Sequence, residues 1–224
     1  MTTLTGAFTS LLPEGVKRPL RRWPNVLRPT KLWRTLMYHA GVYRLSGREV
    51  DGLHLGCGDL IIPGFWNIDA MFSSACDVAA RVDRIGLGDN TVGTIYCAHV
   101  FEHISHRSAE ATLRQWHRVL RPGGKLYLAC PDLEALAKLY LERLDSYDTS
   151  QGRRQIELVT GVIFGGQHNR YNFHHSGWSF TTLSQILEHV GFGSVRRFAP
   201  DDICFRPFSD ASSASISLNV EATK

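Results

Sequence analysis

The segment DGLHLGCGDLIIPGFWNIDA, residues 51–70, constrains the fold of this chain more than any other. An apparent strand ends in Gly56-Cys57-Gly58, and a second, 65–69, ends at Asp69. Glycines at the end of a strand let a ligand lie directly against the backbone, at the carboxyl edge where open α/β sheets bind ligands. A carboxylate at the tip of the next strand is placed to accept hydrogen bonds from both hydroxyls of a ribose. Ile61 stands where a GxGxxG fingerprint needs its third glycine, and Asp69 comes too early for a full helix between the strands. The pattern therefore favours a ligand that has a ribose and no pyrophosphate.

From Val50 onward the same texture continues, with short apolar runs between Gly and Asp and helical periodicity in the gaps. The reading is an α/β domain over 48–224, Rossmann-like, with a mostly parallel seven-stranded sheet, helices on both faces and an antiparallel last strand. Strands are expected at 51–55, 65–69, 76–80, 92–98, 125–130, 194–199 and 214–221. A helix over 108–120 carries Leu113, Trp116, Val119 and Leu120 on one side and stops at Arg-Pro-Gly-Gly, 121–124. Asp132 caps a second, which buries Leu133, Leu136, Tyr140 and Leu144. A third presents Leu183, Ile186, Leu187 and Val190, with Thr182 and Gln185 as its capping box and Gly191 as its end. A lid or acceptor loop is expected at about 146–178, centred on GGQHNRYNFHHSGW, 165–178.

With 43% hydrophobic and 21% charged residues the chain can bury a real core, which excludes a mainly disordered protein. No run approaches the roughly 18 apolar residues of a membrane span, and the first residues lack the basic-then-apolar order of a secretory signal. A cytoplasmic location is expected. Cys57, Cys76, Cys97, Cys130 and Cys204 are scattered and never form CxxC, which favours reduced thiols over a disulfide framework or a cysteine-built zinc site. Residues 1–47 read as a basic arm. Through residue 48 there are nine Lys or Arg against one acid, Glu14, so a formal +8 leaves −4 for the rest of a +4 chain. Interleaved aromatics make contact with an anionic membrane surface one use of the arm, and packing on the domain another. A helix fits only Lys31 to about Leu45, because prolines at 13, 19, 24 and 29 interrupt what precedes it.

The motifs taken as a group, LHLGCG, then PGFWNID, DNTVGTIYCAHVFEHI (89–104), WHRVLRPGGKLYLACPDL (116–133) and HHSGWSFTTLSQILEHVGF (174–192), resemble the class I S-adenosylmethionine-dependent methyltransferases. In particular the chain is similar to the small bacterial type-11-like enzymes associated with cell-surface polysaccharide synthesis. The resemblance implies S-adenosyl-L-methionine as cofactor. Gly56, Cys57 and Gly58 would line its methionine part and Asp69 would hold the ribose. Val82 and Asp83 would approach adenine, and Ala98 and His99 would border the sulfonium. It also implies acids at 81 and 93, where this chain has Arg81 and Gly93; Asp83 is then the nearest substitute for the first.

Methyl transfer needs alignment and a place for the acceptor's proton, and histidine suits the latter. His174 and His175 are the first candidates for the base, with His99 beside the cofactor edge; Tyr171, Asn172 and Trp178 would shape the acceptor pocket. The expected activity is methylation of a small molecule or glycan precursor, most readily at oxygen. No nucleic-acid partner is expected, because the base-methylation motif and RNP-like strands are missing. Two other readings are a methyltransferase fold that binds without catalysis, suggested by Arg81 and Gly93, and a zinc hydrolase using His99-Val100-Phe101-Glu102-His103 as HxxEH. The latter pattern follows a strand instead of lying within a long helix, so no metal site is expected from it.

Overall fold

The computed structural model describes residues 35–36, 51–71, 73–205, 212 and 215–224. Of the basic arm, only the helical pair Thr35-Leu36 falls within them, so the expected 31–45 helix otherwise lies outside the described residues. In chain order the elements are β1 (Gly52–Leu55), β2 (Phe65–Asp69), β3 (Val78–Ala79), β4 (Val92–Ala98), α1 (His106–Val119), β5 (Leu120–Pro131), α2 (Leu133–Leu144), α3 (Ser150–Phe164), α4 (Phe180–Val190), β6 (Gly193–Arg197) and β7 (Ser217–Thr223). The sheet order is β3-β2-β1-β4-β5-β7-β6. The pairs from β3 through β5 are parallel, and β7 runs antiparallel to both β5 and β6. The expected mostly parallel seven-stranded α/β sheet, with its last strand reversed, is the observed architecture.

Alternation along the central strands sorts side chains into two layers. Leu53, Leu55, Ile95, Cys97, Leu126 and Leu128 point to one face, where Leu113, Trp116 and Val119 of α1 and Leu183, Leu187 and Val190 of α4 meet them. Tyr96 and Tyr127 point to the other and join Ile62, Phe198, Ile203 and Phe205. Within β2, Asn67 acts as a buried staple: its Oδ1 accepts from Ile62 N at 2.9 Å and faces His54 Nδ1 at 3.0 Å, while Nδ2 donates to Asp77 Oδ2 at 3.1 Å. That fixes the path of the chain between the first two strands, and hence the position of the glycine turn. No helix among the described residues is long and apolar enough to cross a membrane, and all five cysteines are free.

Four local expectations need correction. Of the residues expected to be buried on α2 only Leu136 is, while Leu133 and Leu144 are exposed, because the helix packs on another exposed helix. The 121–124 segment does not separate helix from strand: α1 ends at Val119 and β5 already starts at Leu120, passing through Gly123 with φ +77° at a register shift opposite Val92 and Thr94. β5 has three more residues than β4 across this shift, and glycine at positive φ lets the excess bulge out with little strain. The capping box of α4 is formed by Ser179 and Thr182, with no part for Gln185; Ser179 Oγ accepts from Thr182 N at 3.3 Å and Thr182 Oγ1 accepts from Ser179 N at 3.1 Å. Finally, Ser150–Phe164, inside the stretch read as a lid, is helical. Thr149 caps it, Ile156 and Val159 are buried, and it packs on α2. The apolar positions of α3 are sparse and its partner is another exposed helix, so its periodicity stands out poorly in the sequence.

Candidate active site

Parallel strands deliver their carboxyl ends to one edge of the sheet, and a cavity of ≈ 850 Å³ lies there. Its floor comes from Gly56 after β1, Asp69 at the end of β2, Arg81, Val82 and Asp83 after β3, and His99 and Val100 after β4. Arg170, Tyr171, Phe173 and His175 of the 165–178 loop form the opposite wall, with His103 between.

The glycine turn is held by two bonds, from Gly56 N (2.8 Å) and Cys57 N (3.1 Å) to Ile68 O. Gly56 has φ +71°, and a Cβ there would overlap the Val100 side chain; Gly58, at φ +51°, has open space where its Cβ would be. The two positions thus respond differently to the same change. Gly56→Ala is expected to lower unfolding stability by about 2–5 kcal/mol, from left-handed strain plus overpacking, and Gly58→Ala by only about 1–2 kcal/mol. Urea denaturation of the two variants checks this. Open space beside Gly58 is also what a ligand lying on the backbone requires.

Asp69 Oδ2 accepts from Gly58 N at 2.9 Å and Oδ1 from Met71 N at 2.8 Å. One donor per oxygen orients the carboxylate and leaves further lone pairs for a diol. Val82 is tied to the core, because Trp116 Nε1 donates to its carbonyl at 2.8 Å. Asp83 faces the cavity, but its carboxylate is gripped by Arg81 through Nε–Oδ1 at 2.8 Å and Nη2–Oδ2 at 2.6 Å. These hydrogen bonds hold the Asp83 carboxyl below its ordinary pKa. The departure at 93 has a different meaning. Gly93 is the second residue of β4, at the amino end of the strand and away from the cavity, and the space beside it is filled by the Asp51 carboxylate, which pairs with Arg121 at 2.6 Å.

Of the residues singled out for the cofactor, Gly56, Asp69, Val82, Asp83 and His99 line the cavity, whereas Cys57, Gly58 and Ala98 do not. Cys57 is buried, and hydrogen bonding with Cys76 together with burial pushes its thiol pKa far up, so it is an inert packing residue. His99 has the left-handed φ of +54°. Its Nε2 lies 3.1 Å from Ser217 Oγ and its Nδ1 3.5 Å from Glu102 Oε1, so both ring nitrogens already have neighbours. His174 sits behind the wall, 3.9 Å from Glu102 through Nε2, and burial pushes its pKa down. His175 is the loop histidine that lines the cavity; its backbone N is anchored to Glu102 O at 2.8 Å.

Trp178 belongs to the core instead of the pocket, stacked on Phe101 at 5.3 Å. Asp132 caps α2 by accepting from Glu134 N at 3.1 Å and Ala135 N at 3.3 Å. Met71, Arg170 and Phe173 also line the cavity; in the sequence the last two are signalled only by the polar-aromatic composition of their loop. The HxxEH geometry is not formed either, since Phe101–His103 is a single 3₁₀ turn and His99 precedes it.

Residues 69–128 match the methyltransferase domain family. The matched methyltransferase segment runs from Asp69 through Val82, Asp83, His99, Glu102 and His103 into β5, and so contains most of the cavity floor. It supports a methyltransferase that uses S-adenosylmethionine, and the open glycine turn, the oriented Asp69 and the size of the cavity fit that cofactor. No curated protein matches the chain. Solved structures with which it aligns include a Thermotoga maritima S-adenosylmethionine-dependent methyltransferase (15% identity, 92% of this chain and 95% of that one, TM-score 0.46). Another is the Burkholderia thailandensis 1,6-didemethyltoxoflavin-N1-methyltransferase with its substrate and S-adenosylhomocysteine bound (12%, 88% and 78%, 0.46). A third is an Archaeoglobus fulgidus S-adenosylmethionine-dependent methyltransferase (13%, 93% and 98%, 0.45).

Proposed function

We propose that the protein transfers a methyl group from S-adenosylmethionine to a hydroxyl of a small molecule or glycan precursor, as in the polysaccharide-associated enzymes it resembles. The observation that carries this reading is one cavity with Asp69 and the glycine turn on its floor and a histidine-bearing loop on the facing wall. When bound, the cofactor supplies an electrophilic methyl carbon on a positively charged sulfur. The protein's own part is alignment and proton handling. Gly56 and Asp69 orient the donor from one side, and Tyr171, Phe173 and Arg170 confine the acceptor from the other. His175, exposed and reaching the cavity, takes the acceptor proton, while His99, with its two ring contacts, holds its place at the floor. In this reading His174 positions the wall and has no direct contact with the acceptor.

The Arg81–Asp83 clasp favours a second reading, a methyltransferase fold that binds a partner or glycan without turnover, because the acid nearest the expected adenine position is already paired. Calorimetric titration with S-adenosylmethionine and S-adenosylhomocysteine separates the two. Micromolar binding supports the enzyme, and absence of binding by the wild type supports the second reading. Arg81→Gln is expected to tighten cofactor binding several-fold by releasing Asp83. The basic arm would bring the enzyme to an anionic leaflet if the acceptor is lipid-linked. Charge reversal at Arg18, Arg21 and Arg22 should then abolish sedimentation with anionic vesicles, and unchanged sedimentation would remove that role.

A further inference from the structure

We propose that Glu102, His103 and His174 form a binding site for a divalent transition-metal ion in the wall of the cavity. One donor atom from each residue lies within 4.8 Å of the other two. Two of the residues come from the 3₁₀ turn after β4 and the third from the loop after α3, so only the tertiary fold assembles the set.

Three further observations point to a cation. Glu102 is 2% exposed, and its Oε2 is buried without a hydrogen-bond partner among the described residues. A buried carboxylate oxygen left in that condition is costly, and a cation supplies what the neighbouring side chains do not. His103 Nδ1 lies 3.0 Å from the Phe173 carbonyl, which can only accept, so Nδ1 carries the proton and Nε2 keeps its lone pair. A backbone carbonyl orienting the far nitrogen is the usual outer support of a metal-binding histidine. His174 presents Nε2 to Glu102 Oε1 at 3.9 Å, with its ring edge-on to His103 at 4.8 Å between centroids.

Two imidazoles and one carboxylate suit Zn²⁺, Co²⁺ or Ni²⁺ far better than Mg²⁺ or Ca²⁺, which want oxygen donors. Donors about 2.1 Å from a tetrahedral zinc lie about 3.4 Å apart, so separations of up to 4.8 Å must close by up to about 1.4 Å on loading. Three protein ligands leave a fourth position, and His103 itself lines the cavity. Under the methyl-transfer reading an acceptor oxygen would enter there; the metal site itself stands without that reading. It differs from the HxxEH pattern in that Glu102 is a ligand and His99 is not.

The test uses tag-free full-length protein stripped with chelator and titrated, without any methyl donor, with Zn²⁺ by calorimetry and with Co²⁺ by visible absorption. Binding of one equivalent is expected, with a Co²⁺ spectrum of tetrahedral or five-coordinate intensity. His103→Gln and His174→Gln should each weaken affinity by about 100-fold or more. His189→Gln, an exposed histidine on α4, should leave it unchanged. Urea denaturation of each variant in the absence of metal confirms that it is folded. No stoichiometric binding by the wild type overturns the proposal, as does binding that survives both the His103 and the His174 substitution. Cofactor titration of the same metal-free protein tests the methyltransferase reading separately.

Discussion

Asp69→Ala is expected to weaken S-adenosylmethionine and S-adenosylhomocysteine binding by at least about 100-fold. Two hydrogen bonds from ribose hydroxyls to a carboxylate contribute about 1.5–3 kcal/mol each, or about 3–6 kcal/mol together. That corresponds to a factor of roughly 10²–10⁴ in Kd. The carboxylate is already oriented by Gly58 N and Met71 N, so little ordering remains to be done on binding. Asp69→Asn keeps one acceptor oxygen and should fall between the wild type and the alanine variant. Calorimetry on both variants checks the order. Unfolding stability in urea should change by no more than about 1–2 kcal/mol for either, because the two lost bonds are exposed and water replaces them. A large stability loss with a matching affinity loss would instead assign Asp69 a purely structural role in the turn.

Trp116→Ala should give the largest stability effect, about 3–5 kcal/mol, because the indole is fully buried and packs near Phe101 at 5.6 Å. For a domain of this size that lowers Tm by about 6–20 °C. Trp116→Phe is the more informative change. It retains most of the packing but removes the Nε1 donor from the Val82 carbonyl, at an expected cost of about 1–3 kcal/mol. Since Val82 lines the cavity, the Phe variant should also weaken cofactor binding measurably at temperatures where it is fully folded. A core tryptophan more than thirty residues away in sequence would then be shown to position the cofactor edge. Unchanged affinity in a destabilised Phe variant would confine Trp116 to the core.

The two central strands of the glycine turn motif, the position of Asp69 and the α/β class were legible because each depends on local pattern. Strands 52–55 and 65–69 are largely buried, and their bulky apolar residues Leu53, Leu55, Phe65, Trp66 and Ile68 mark them in the sequence even though His54 and Asn67 interrupt the runs. A glycine needed at positive φ also advertises itself by residue type, as Gly56 and Gly58 do. The helix α3 was missed because its buried residues, Ile156 and Val159, are few and much of its surface is exposed. β5 was cut short because Pro122 and the two glycines after it read as a stop; its register with β4 skips 121–124 and resumes at Lys125, and the segment is held instead by Gly123 N donating to Lys224 O and Lys224 N donating to Gly124 O.

For the site, the sequence by itself determined which residues are chemically able to hold a nucleoside or move a proton, since that follows from side-chain type and spacing along one strand or turn. Only the tertiary structure decided which of them meet. His174 and His175 are adjacent in sequence, yet the chain direction after α3 turns one toward Glu102 and the other toward the cavity. Arg81 was legible as a missing acid but not as a clasp on Asp83, and Gly93 was legible as a missing acid but not as the seat of the Asp51 carboxylate. The grouping of Glu102 and His103 with His174, some seventy residues on, has no sequence period at all. It exists because the loop after α3 folds back to hydrogen-bond the 3₁₀ turn through Glu102 O and His103 Nδ1, and contacts between distant segments are set by packing, which local pattern does not encode.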